Sequence, residues 1–402
     1  MMADRVLIST IAPGGGGVVQ MTRFVADSLR EGGLTPILGF YEPYSLSPQL
    51  SVPSFRLLQR RVGSHRAVVL DRLEGHGIGA WLPELEFTHY WPTRLWRELL
   101  DSCRYHLSVS GNCLAGLPYA LTGRPFLAWI ATSWHGDRKD RVVAFPWYRR
   151  LLDSGLNSRV IRRLERRVLC SGTVLALSRY TRDELDRLVP MHRAHGILPM
   201  PVDTRGFTPD EAMVVPGRLG FVGRIGDPRK HTALLVRALA RLRRWDERVT
   251  AELIGGDPEP VVMELMAELD VMDAIRVTAH TPREALPQRL RAMDVFVLPS
   301  HQEGLCIAAL EAMACGCPVV STRCGGPEEF VVDDETGYLV DSDPRAMADA
   351  VQRIVGDRGL RRRLSRNARQ LVEERYNSDR AKAIFWDAFR HAFEGSAKGA
   401  ED

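Results

Sequence analysis

The stretch LGFVGRIGDPRKHTALLV, residues 219–236, decides the fold of this 402-residue chain. It begins with a short apolar run, passes through a turn that contains glycines, and ends in a segment with helical periodicity. A strand, a glycine-containing turn and a helix in this order are typical of the parallel units of α/β proteins. The turn also carries Arg224 and Lys230, two cations that can converge on one diphosphate. A solvated basic turn without a ligand is the alternative interpretation.

The same pattern recurs on both sides of this stretch. Strands are predicted at 5–10, 67–70, 106–110, 126–130 and 173–177, and then at 219–222, 249–254, 275–278, 295–298, 318–321 and 337–340. Helices are predicted at 18–30, 231–244, 258–270, 283–292, 305–315 and 344–354, and a basic helix begins near 160. Residues 137–159 mix charges with aromatic residues and are predicted to form a mobile loop. The alternation of strands and helices predicts two doubly wound, Rossmann-like domains that face a central cleft.

The domain boundaries follow from a Pro- and Asp-rich segment around residues 200–210 that lacks periodicity. We expect an acceptor-binding domain at 1–200 and a nucleotide-binding domain at 201–375. Residues 376–402 begin with a stripe of aromatic side chains, so we expect a helix that packs back on the first domain, followed by a tail.

Composition excludes several classes of protein. The chain has 54 basic and 50 acidic residues, and 45% of its residues are hydrophobic, as in ordinary globular proteins. The net charge of +4 divides into +9 for residues 1–200 and −5 for residues 201–402. No apolar run is long enough to span a membrane. Seven cysteines, an odd number, favour reduced thiols and a cytoplasmic location.

A glycine-rich turn follows the first predicted strand. The sequence PGGGG at residues 13–17 lies between a strand and a helix, where Gly16 and Gly17 would let a ligand approach the backbone. A dinucleotide fingerprint is not complete, because Val19 stands where its third glycine would be. A tight turn with no ligand is the alternative.

A third motif is SHQEGLCIAALEAMACGCP, residues 300–318. Its apolar part predicts a buried helix that contains Glu311, and a buried carboxylate requires a partner such as a ligand hydroxyl. Glu303 is eight residues earlier, about 12 Å away along a helix axis, on nearly the same helical face. The alternative is that one glutamate caps the helix and the other pairs with a core arginine.

Three further patterns favour a structural role without a bound metal or nucleic acid. Asp341-Ser-Asp343 resembles a metal-binding Asp-x-Asp, but Asp343 is placed to cap a helix. The spacing of the clustered cysteines matches no zinc site. The basic stretch 149–167 contains seven arginines without interleaved aromatic residues, so we expect no nucleic-acid partner. These patterns therefore predict no bound metal.

The sequence closely resembles the retaining GT-B glycosyltransferases of family 4, the glycosyltransferase group 1 family. The resemblance rests on FVGRIGDPRKH at residues 221–231 and on residues 298–340, and covers most of the second half. It is thinner in the first half, where TSWHGD and LALSRYTRDEL carry it. The resemblance implies that Glu303 lies by the donor sugar, that Glu311 holds the ribose, and that His135 lies near the sugar.

Further roles follow from the same resemblance. Arg224 and Lys230 are implied to bind the leaving diphosphate, although the usual spacing would place Arg229 in the position of the lysine. The remaining donor-binding positions implied by the resemblance are Gly16, Gly17, Gly223, Gly304, Leu305 and Cys306. Leu305 and Cys306 replace an aromatic residue and a glycine that are frequent in the family.

The predicted activity is retaining, metal-independent transfer of a sugar from a UDP- or GDP-linked donor to an acceptor hydroxyl, without a cofactor. The acceptor is a sugar, a lipid-linked molecule or a small molecule, and the basic first half predicts peripheral contact with the inner face of a membrane as one alternative. Two other functions stay open. One is a nucleotide-sugar epimerase of the same fold, and the other is a non-catalytic binder of nucleotide sugars.

Overall fold

The computed structural model describes residues 4–14, 16–57, 61–70, 72–138, 150, 155, 157–191, 194–279 and 281–394. The chain divides into two compact units. The first unit comprises Met1–Leu198 together with Lys382–Asp402, and the second comprises Pro199–Ala381. Most of the loop expected at 137–159 lies outside the described residues. Each unit contains one β-sheet with helices packed against it.

The first unit contains an eight-stranded sheet with the strand order β3-β4-β2-β1-β5-β6-β7-β8. Its strands are β1 (Arg5–Thr10), β2 (Thr35–Tyr41), β3 (Ser64–Val69), β4 (Leu73–Ile78), β5 (Tyr105–Ser110), β6 (Leu127–Ile130), β7 (Thr173–Ala176) and β8 (Gly196–Ile197). All neighbours are parallel except β3 and β4. The expectation of a parallel strand at 67–70 was therefore wrong. Only residues 70–72 connect β3 to β4, and so short a connection allows antiparallel pairing alone.

The helices of the first unit follow the strands. They are α1 (Gly17–Glu31), α2 (Arg94–Asp101), α3 (Leu117–Thr122), α4 (Trp134–Arg138), α5 (Ser158–Ser171) and α6 (Arg179–Leu188). The central strands β1, β5 and β6 are buried almost throughout, as expected for a parallel sheet covered on both faces. The sequence did not indicate β2 and β4, because Pro36 and Gly39 in β2 and two glycines in β4 are typical of turns.

The second unit contains a six-stranded, fully parallel sheet with the order β11-β10-β9-β12-β13-β14. Its strands are β9 (Arg218–Val222), β10 (Thr250–Ile254), β11 (Ile275–Thr278), β12 (Val295–Leu298), β13 (Val319–Thr322) and β14 (Gly337–Val340). Its helices are α7 (Thr232–Trp245), α8 (Pro260–Glu268), α9 (Leu286–Arg291), α10 (Ile307–Ala314), α11 (Pro344–Gly356) and α12 (Arg358–Arg375). The sequence missed α12, because its narrow apolar stripe is surrounded by arginines.

A last helix, α13 (Ser378–Phe393), packs on the first unit. Phe389 and Phe393 each lie 5.1 Å from Tyr105 of β5, measured between ring centroids. Trp386 occupies the space over Gly32, where a Cβ atom would lie 2.5 Å from the indole. These contacts join the end of the chain to the helix and strands at its beginning.

The order of the strands determines where loops meet. In the second unit, β9 has β10 on one side and β12 on the other, so the direction of winding reverses between β9 and β12. In the first unit the same reversal lies between β1 and β5. Ligands of doubly wound sheets bind at the carboxyl ends of the strands beside such a reversal.

Candidate functional site

The reversal in the second unit brings two predicted motifs together. The loop after β9 begins at Gly223 and carries the basic motif, and the loop after β12 carries Glu303. In the loop after β9, Pro228–Lys230 forms one turn of 3-10 helix that places Lys230 just before α7. The two loops are 73 residues apart in sequence at their contact, and only the sheet makes them neighbours.

Lys230 and Glu303 form the centre of this site. The Lys230 ammonium lies 2.7 Å from Glu303 Oε1, and the Ser300 hydroxyl donates to the same oxygen at 2.6 Å. The side chains of Lys230 and Glu303 keep only 15% and 10% of their exposure. A cation and an anion are thus held together with little water around them.

The charge state of Lys230 follows from two opposing effects. Burial disfavours the ammonium, but the adjacent Glu303 carboxylate outweighs it and raises the pKa of Lys230. Lys230 therefore stays charged at neutral pH. Cys306 lies near the same pair, and burial together with the Glu303 carboxylate raises the pKa of its thiol.

Two histidines that the sequence did not single out join the two loops. The backbone N–H of His301 donates to the carbonyl of Arg229 at 2.8 Å. The rings of His231 and His301 stack with their centroids 4.0 Å apart and an angle of 20° between their planes. These contacts hold the lysine-bearing loop against the loop that carries Glu303.

The two arginines of the basic loop both contact Asp227. Arg229 approaches the Asp227 carboxylate through Nη2 at 2.9 Å and Nε at 3.2 Å, and its side chain is nearly buried. Arg224 Nη2 lies 3.2 Å from the same carboxylate, but 68% of its side chain is exposed. Arg229 is thus bound by a carboxylate inside the loop, whereas Lys230 contacts Glu303 in the neighbouring loop.

The helical relation expected between Glu303 and Glu311 was wrong. Helix α10 begins at Ile307, so Glu303 lies in the preceding loop and not on the same helical face. Glu303 instead forms an isolated β-bridge with Gly325. The backbone at residue 326 lies so close to the backbone at Gly304 that only glycine fits there. A Cβ atom at Gly326 would lie 2.4 Å from the carbonyl oxygen of Gly304.

The residues between Gly304 and α10 adopt a tight turn. Leu305 is buried, and Cys306 is the residue before the helix, with a φ of 69°. Glycine takes this left-handed conformation without the steric cost that Cys306 bears. The structure thus gives a physical reason for glycine at this position in other chains.

Glu311 is buried on α10 and pairs with an arginine. Arg283 Nη1 lies 2.8 Å from Glu311 Oε1, and the guanidinium also lies over the ring of Phe207. Burial raises the pKa of Glu311, and the Arg283 charge opposes this rise. The arrangement matches the alternative in which one glutamate pairs with an arginine, and the sequence did not indicate Arg283.

The glycine motif of the first unit lies after β1, beside the reversal of its sheet. Gly16 precedes α1 with a φ of 110°, and Gly17 is the first residue of the helix. A side chain at Gly16 would be strained by this backbone conformation and not by a neighbour, since no described atom lies within 4 Å of its Cβ position. The requirement for glycine at residue 16 therefore comes from its backbone conformation.

His135 lies on α4, a helix of five residues after β6, and its side chain is exposed. Three glutamates from other elements hold this helix and the residues before it. Glu165 of α5 accepts the backbone N–H of Trp134 at 2.9 Å, and Glu184 of α6 accepts the hydroxyl of Ser133 at 2.9 Å. No sequence pattern indicates these supports.

The third glutamate is Glu86. It accepts the indole N–H of Trp134 at 2.6 Å and forms an ion pair with Arg138, whose guanidinium also lies over the Trp134 ring. Both ends of the helix are thereby tied to the rest of the first unit. His135 occupies an exposed position on a helix that its neighbours hold in place.

Glu165 is itself buried beneath α4, with 2% of its surface exposed. Burial raises the pKa of Glu165 to about 7, while hydrogen bonds from the Trp134 backbone and the Cys113 thiol limit the rise. This carboxyl therefore changes its protonation near neutral pH. Ionisation here would act on the helix that carries His135.

The Asp341-Ser-Asp343 segment, which resembles a metal-binding Asp-x-Asp, caps a helix. Asp343 accepts the backbone N–H of Ala346 at 2.8 Å and caps α11. Within the described ranges, no three His, Cys, Asp or Glu side chains converge in the way a metal site requires. No helix in the described part of the chain is long and apolar enough to cross a membrane.

The second unit is similar in sequence to a known protein family. The signature of the family described as "Glycosyl transferases group 1" matches residues 216–371, nearly all of the second unit. A D-inositol 3-phosphate glycosyltransferase from Salinispora arenicola is 38% identical over 163 residues, which are 38% of this chain and 36% of the relative. A GDP-mannose-dependent alpha-(1-6)-phosphatidylinositol monomannoside mannosyltransferase from Mycolicibacterium smegmatis is 35% identical over 206 residues, 46% of this chain and 53% of the relative. The chain thus spans about half or less of these relatives.

Likeness in structure extends over both units. Sucrose-phosphate synthase from Thermosynechococcus elongatus superimposes with a TM-score of 0.74 over 97% of this chain and 100% of its own, at 20% identity. At this level of identity the likeness establishes the fold, which confirms the α/β class and the GT-B fold expected from the sequence. We conclude that this chain has the GT-B fold and that its residues 216–371 match the glycosyl transferases group 1 family.

Proposed function

We propose that this chain transfers a sugar from a nucleoside diphosphate donor to an acceptor hydroxyl, with retention of the anomeric configuration. The observation that carries the proposal is the contact between Lys230 and Glu303 at the reversal of the second sheet. A permanently charged lysine at this place is suited to a diphosphate, and a carboxylate next to it is suited to sugar hydroxyls.

The donor roles are assigned to residues of the second unit. Lys230 and the exposed Arg224 would neutralise the charge that develops on the leaving diphosphate, and Gly223 and Gly304 would let it approach the backbone. Glu303 would bind the sugar, with Leu305 and Cys306 beside it. Arg229 is assigned to holding the loop, because Asp227 already engages its guanidinium.

Glu311 is assigned to the ribose. Its carboxylate is buried, and its partner Arg283 has 39% of its side chain exposed, which would allow the arginine to yield to a ligand hydroxyl. Accepting two hydroxyls would compensate the buried charge as the arginine does now.

The first unit would supply His135 and the glycines at 16 and 17. The imidazole is proposed to support the positive charge that the sugar develops as the bond to the diphosphate breaks. The departing phosphate is proposed to take the acceptor proton. No metal is included in the proposal, since Lys230 and Arg224 supply the positive charge that the diphosphate needs.

The acceptor is proposed to carry a phosphoinositol group, either free or linked to lipid. Two relatives support this class, because one is named for D-inositol 3-phosphate and the other for a phosphatidylinositol mannoside. GDP-mannose is a donor to test first, since it is part of the name of the second relative.

The test is a panel of UDP- and GDP-sugars screened by thermal shift, followed by mass spectrometry with inositol phosphate and phosphatidylinositol as acceptors. We expect one nucleotide sugar to raise the melting temperature and to give a glycosylated acceptor in the presence of EDTA. The product should retain the anomeric configuration of the donor in its NMR spectrum.

Three results would contradict the proposal. A new sugar nucleotide product formed without acceptor would indicate an epimerase. Saturable nucleotide binding with no transfer to any acceptor would indicate a binding protein. Activity that EDTA abolishes and Mg²⁺ restores would exclude the metal-independent mechanism.

A further inference from the structure

Helix α5 presents a dense row of arginines on its outer face. Arg159, Arg162, Arg163, Arg166 and Arg167 are all exposed, and their spacing places them along one side of the helix. The opposite side is buried through Ile161, Glu165, Val168 and Leu169. The first four arginines line a surface depression of about 260 Å³.

None of these five arginines forms an ion pair with a carboxylate of the described residues. Within the described residues, one of these guanidinium groups makes a hydrogen bond: Arg166 Nε donates to the carbonyl of Leu188. Helix α12 is equally rich in arginine but differs, because Arg358, Arg361, Arg362 and Arg369 each contact a carboxylate. The positive charge of α5 is therefore not paired with any carboxylate in the part of the first unit that the structure describes.

The inner face of the same helix supports the candidate site. Glu165 of α5 accepts the Trp134 backbone N–H and so holds the helix that carries His135. The width of a single helix, about 10 Å, separates the two faces. A surface bound to the outer face would thus lie close to His135.

We propose that the outer face of α5 docks on a membrane surface rich in anionic phospholipid. From Arg159 to Arg167 the row extends about 12 Å, which is too long for one phosphate and suits several head groups. Met191, with 92% of its surface exposed, follows Leu188 closely and supplies an apolar side chain for the interface. A single-stranded nucleic acid fits less well, since α5 has no aromatic side chain on which bases could stack.

This inference rests on the proposed function only for its purpose, which is to bring His135 close to a lipid-linked acceptor. Docking itself requires no sugar transfer. A sedimentation experiment therefore succeeds or fails independently of the activity assay.

The experiment is co-sedimentation of the full chain with vesicles of phosphatidylcholine, with and without roughly 30% phosphatidylglycerol. We expect binding to the anionic vesicles only, and weaker binding as salt increases. The triple variant Arg159→Gln, Arg162→Gln, Arg163→Gln should bind about 100-fold more weakly, since each arginine near an anionic surface contributes about 5-fold.

Helix α7 offers a matched control. Arg237, Arg241 and Arg244 are exposed and lack ion pairs with described residues, so their replacement by Gln removes the same charge from the second unit. This control should bind nearly as the wild type does. The variant Arg159→Lys, Arg162→Lys, Arg163→Lys (the Lys variant) should also bind, because a membrane surface recognises charge and not the arginine fork.

Four outcomes would overturn the inference. They are no binding of the wild type to anionic vesicles, equal loss in the α5 and α7 variants, loss of binding in the Lys variant, and tighter binding of single-stranded RNA than of the vesicles. The Gln variants change exposed side chains alone, and equal melting temperatures would show that they are folded.

Discussion

The candidate residues of the two units are stabilised in different ways. In the second unit, Lys230 and Glu303 both belong to motifs visible in the sequence, and each is the partner of the other. In the first unit, His135 also belongs to a visible motif, but Glu86, Glu165 and Glu184 support its helix from elements far away in sequence. Lys230 and Glu303 thus find their partners within the predicted motifs, whereas the helix of His135 is held by residues outside its motif.

The difference shows what a motif contains. A charged group in a poorly hydrated place needs a counter-charge, so chemistry itself puts Lys230 and Glu303 in the same site. An exposed imidazole needs no counter-charge. Its position depends on backbone and indole hydrogen bonds, which many different elements could supply.

Breaking the Lys230–Glu303 pair should have the largest effect. Lys230→Ala removes a cation from the diphosphate and leaves the Glu303 carboxylate without its partner, so we expect turnover to fall by about 100- to 1,000-fold and stability by about 3 kcal/mol. The measurements are thermal unfolding and steady-state kinetics with the donor that the thermal-shift panel identifies.

A double variant and a control separate the two effects. Lys230→Ala with Glu303→Gln should recover stability but not turnover, since no unpaired charge remains. Lys382→Ala removes a lysine that pairs with Glu31 at 2.5 Å on the exposed surface, and should leave turnover unchanged. Near-normal turnover in Lys230→Ala would contradict the donor assignment.

Removing the buried acid of the first unit should have a smaller effect that depends on pH. The pKa of Glu165 is raised from 4.5 to about 7, so the folded chain binds this proton more tightly than the unfolded chain does. The stabilisation is complete below pH 4.5 and is lost as the pH rises through 7. It amounts to about 3 kcal/mol.

Glu165→Gln should abolish this contribution. The variant should show a flatter dependence of melting temperature on pH between about pH 5 and about pH 8 than the wild type. Glu86→Gln, which changes another support of the same region, should keep the slope of the wild type. An unchanged slope in Glu165→Gln would mean that Glu165 does not titrate in this range.

Replacing Arg229 should have the smallest effect on catalysis and sharpens the contrast within the basic loop. Because Asp227 binds its guanidinium, Arg229→Gln should loosen the loop and raise the KM for the donor, with kcat reduced by less than about 5-fold. A loss of kcat as large as that of Lys230→Ala would show that Arg229 contacts the diphosphate. Steady-state kinetics of the two variants, compared in one assay, decide between them.

Much of the fold could be predicted from local pattern. The runs at 295–298 and 275–278 became strands with the same bounds, because each is a short run rich in β-branched residues between turns. Strand β4 could not be found, since glycines at 75 and 77 have no side chain to reveal alternation. They pack against Val69 and His65, contacts that only the neighbouring strand creates.

The candidate site divides in the same way. The positions of Lys230, Glu303 and Glu311 could be chosen from residue type and spacing. The partners of the two glutamates, Ser300 and Arg283, could not be predicted, and neither could Glu165, which holds the helix of His135. The spacing of Glu303 from Glu311 predicts that both lie on one helix, whereas the positive φ at residue 306 lets the helix begin only at residue 307. The backbone conformation of a single residue depends on how the surrounding residues pack. The sequence spacing of two glutamates contains no information about that packing.

The sequence by itself determined the class of the fold and the chemical character of the second unit. Both depend on local properties, namely the periodicity of apolar residues and the presence of scarce charged residues beside glycines. The tertiary structure alone decided which charges meet, because the order of the strands brings residues 73 positions apart into contact. It also decided that four of the seven arginines of α12 pair with carboxylates, while those of α5 face outward without carboxylate partners among the described residues.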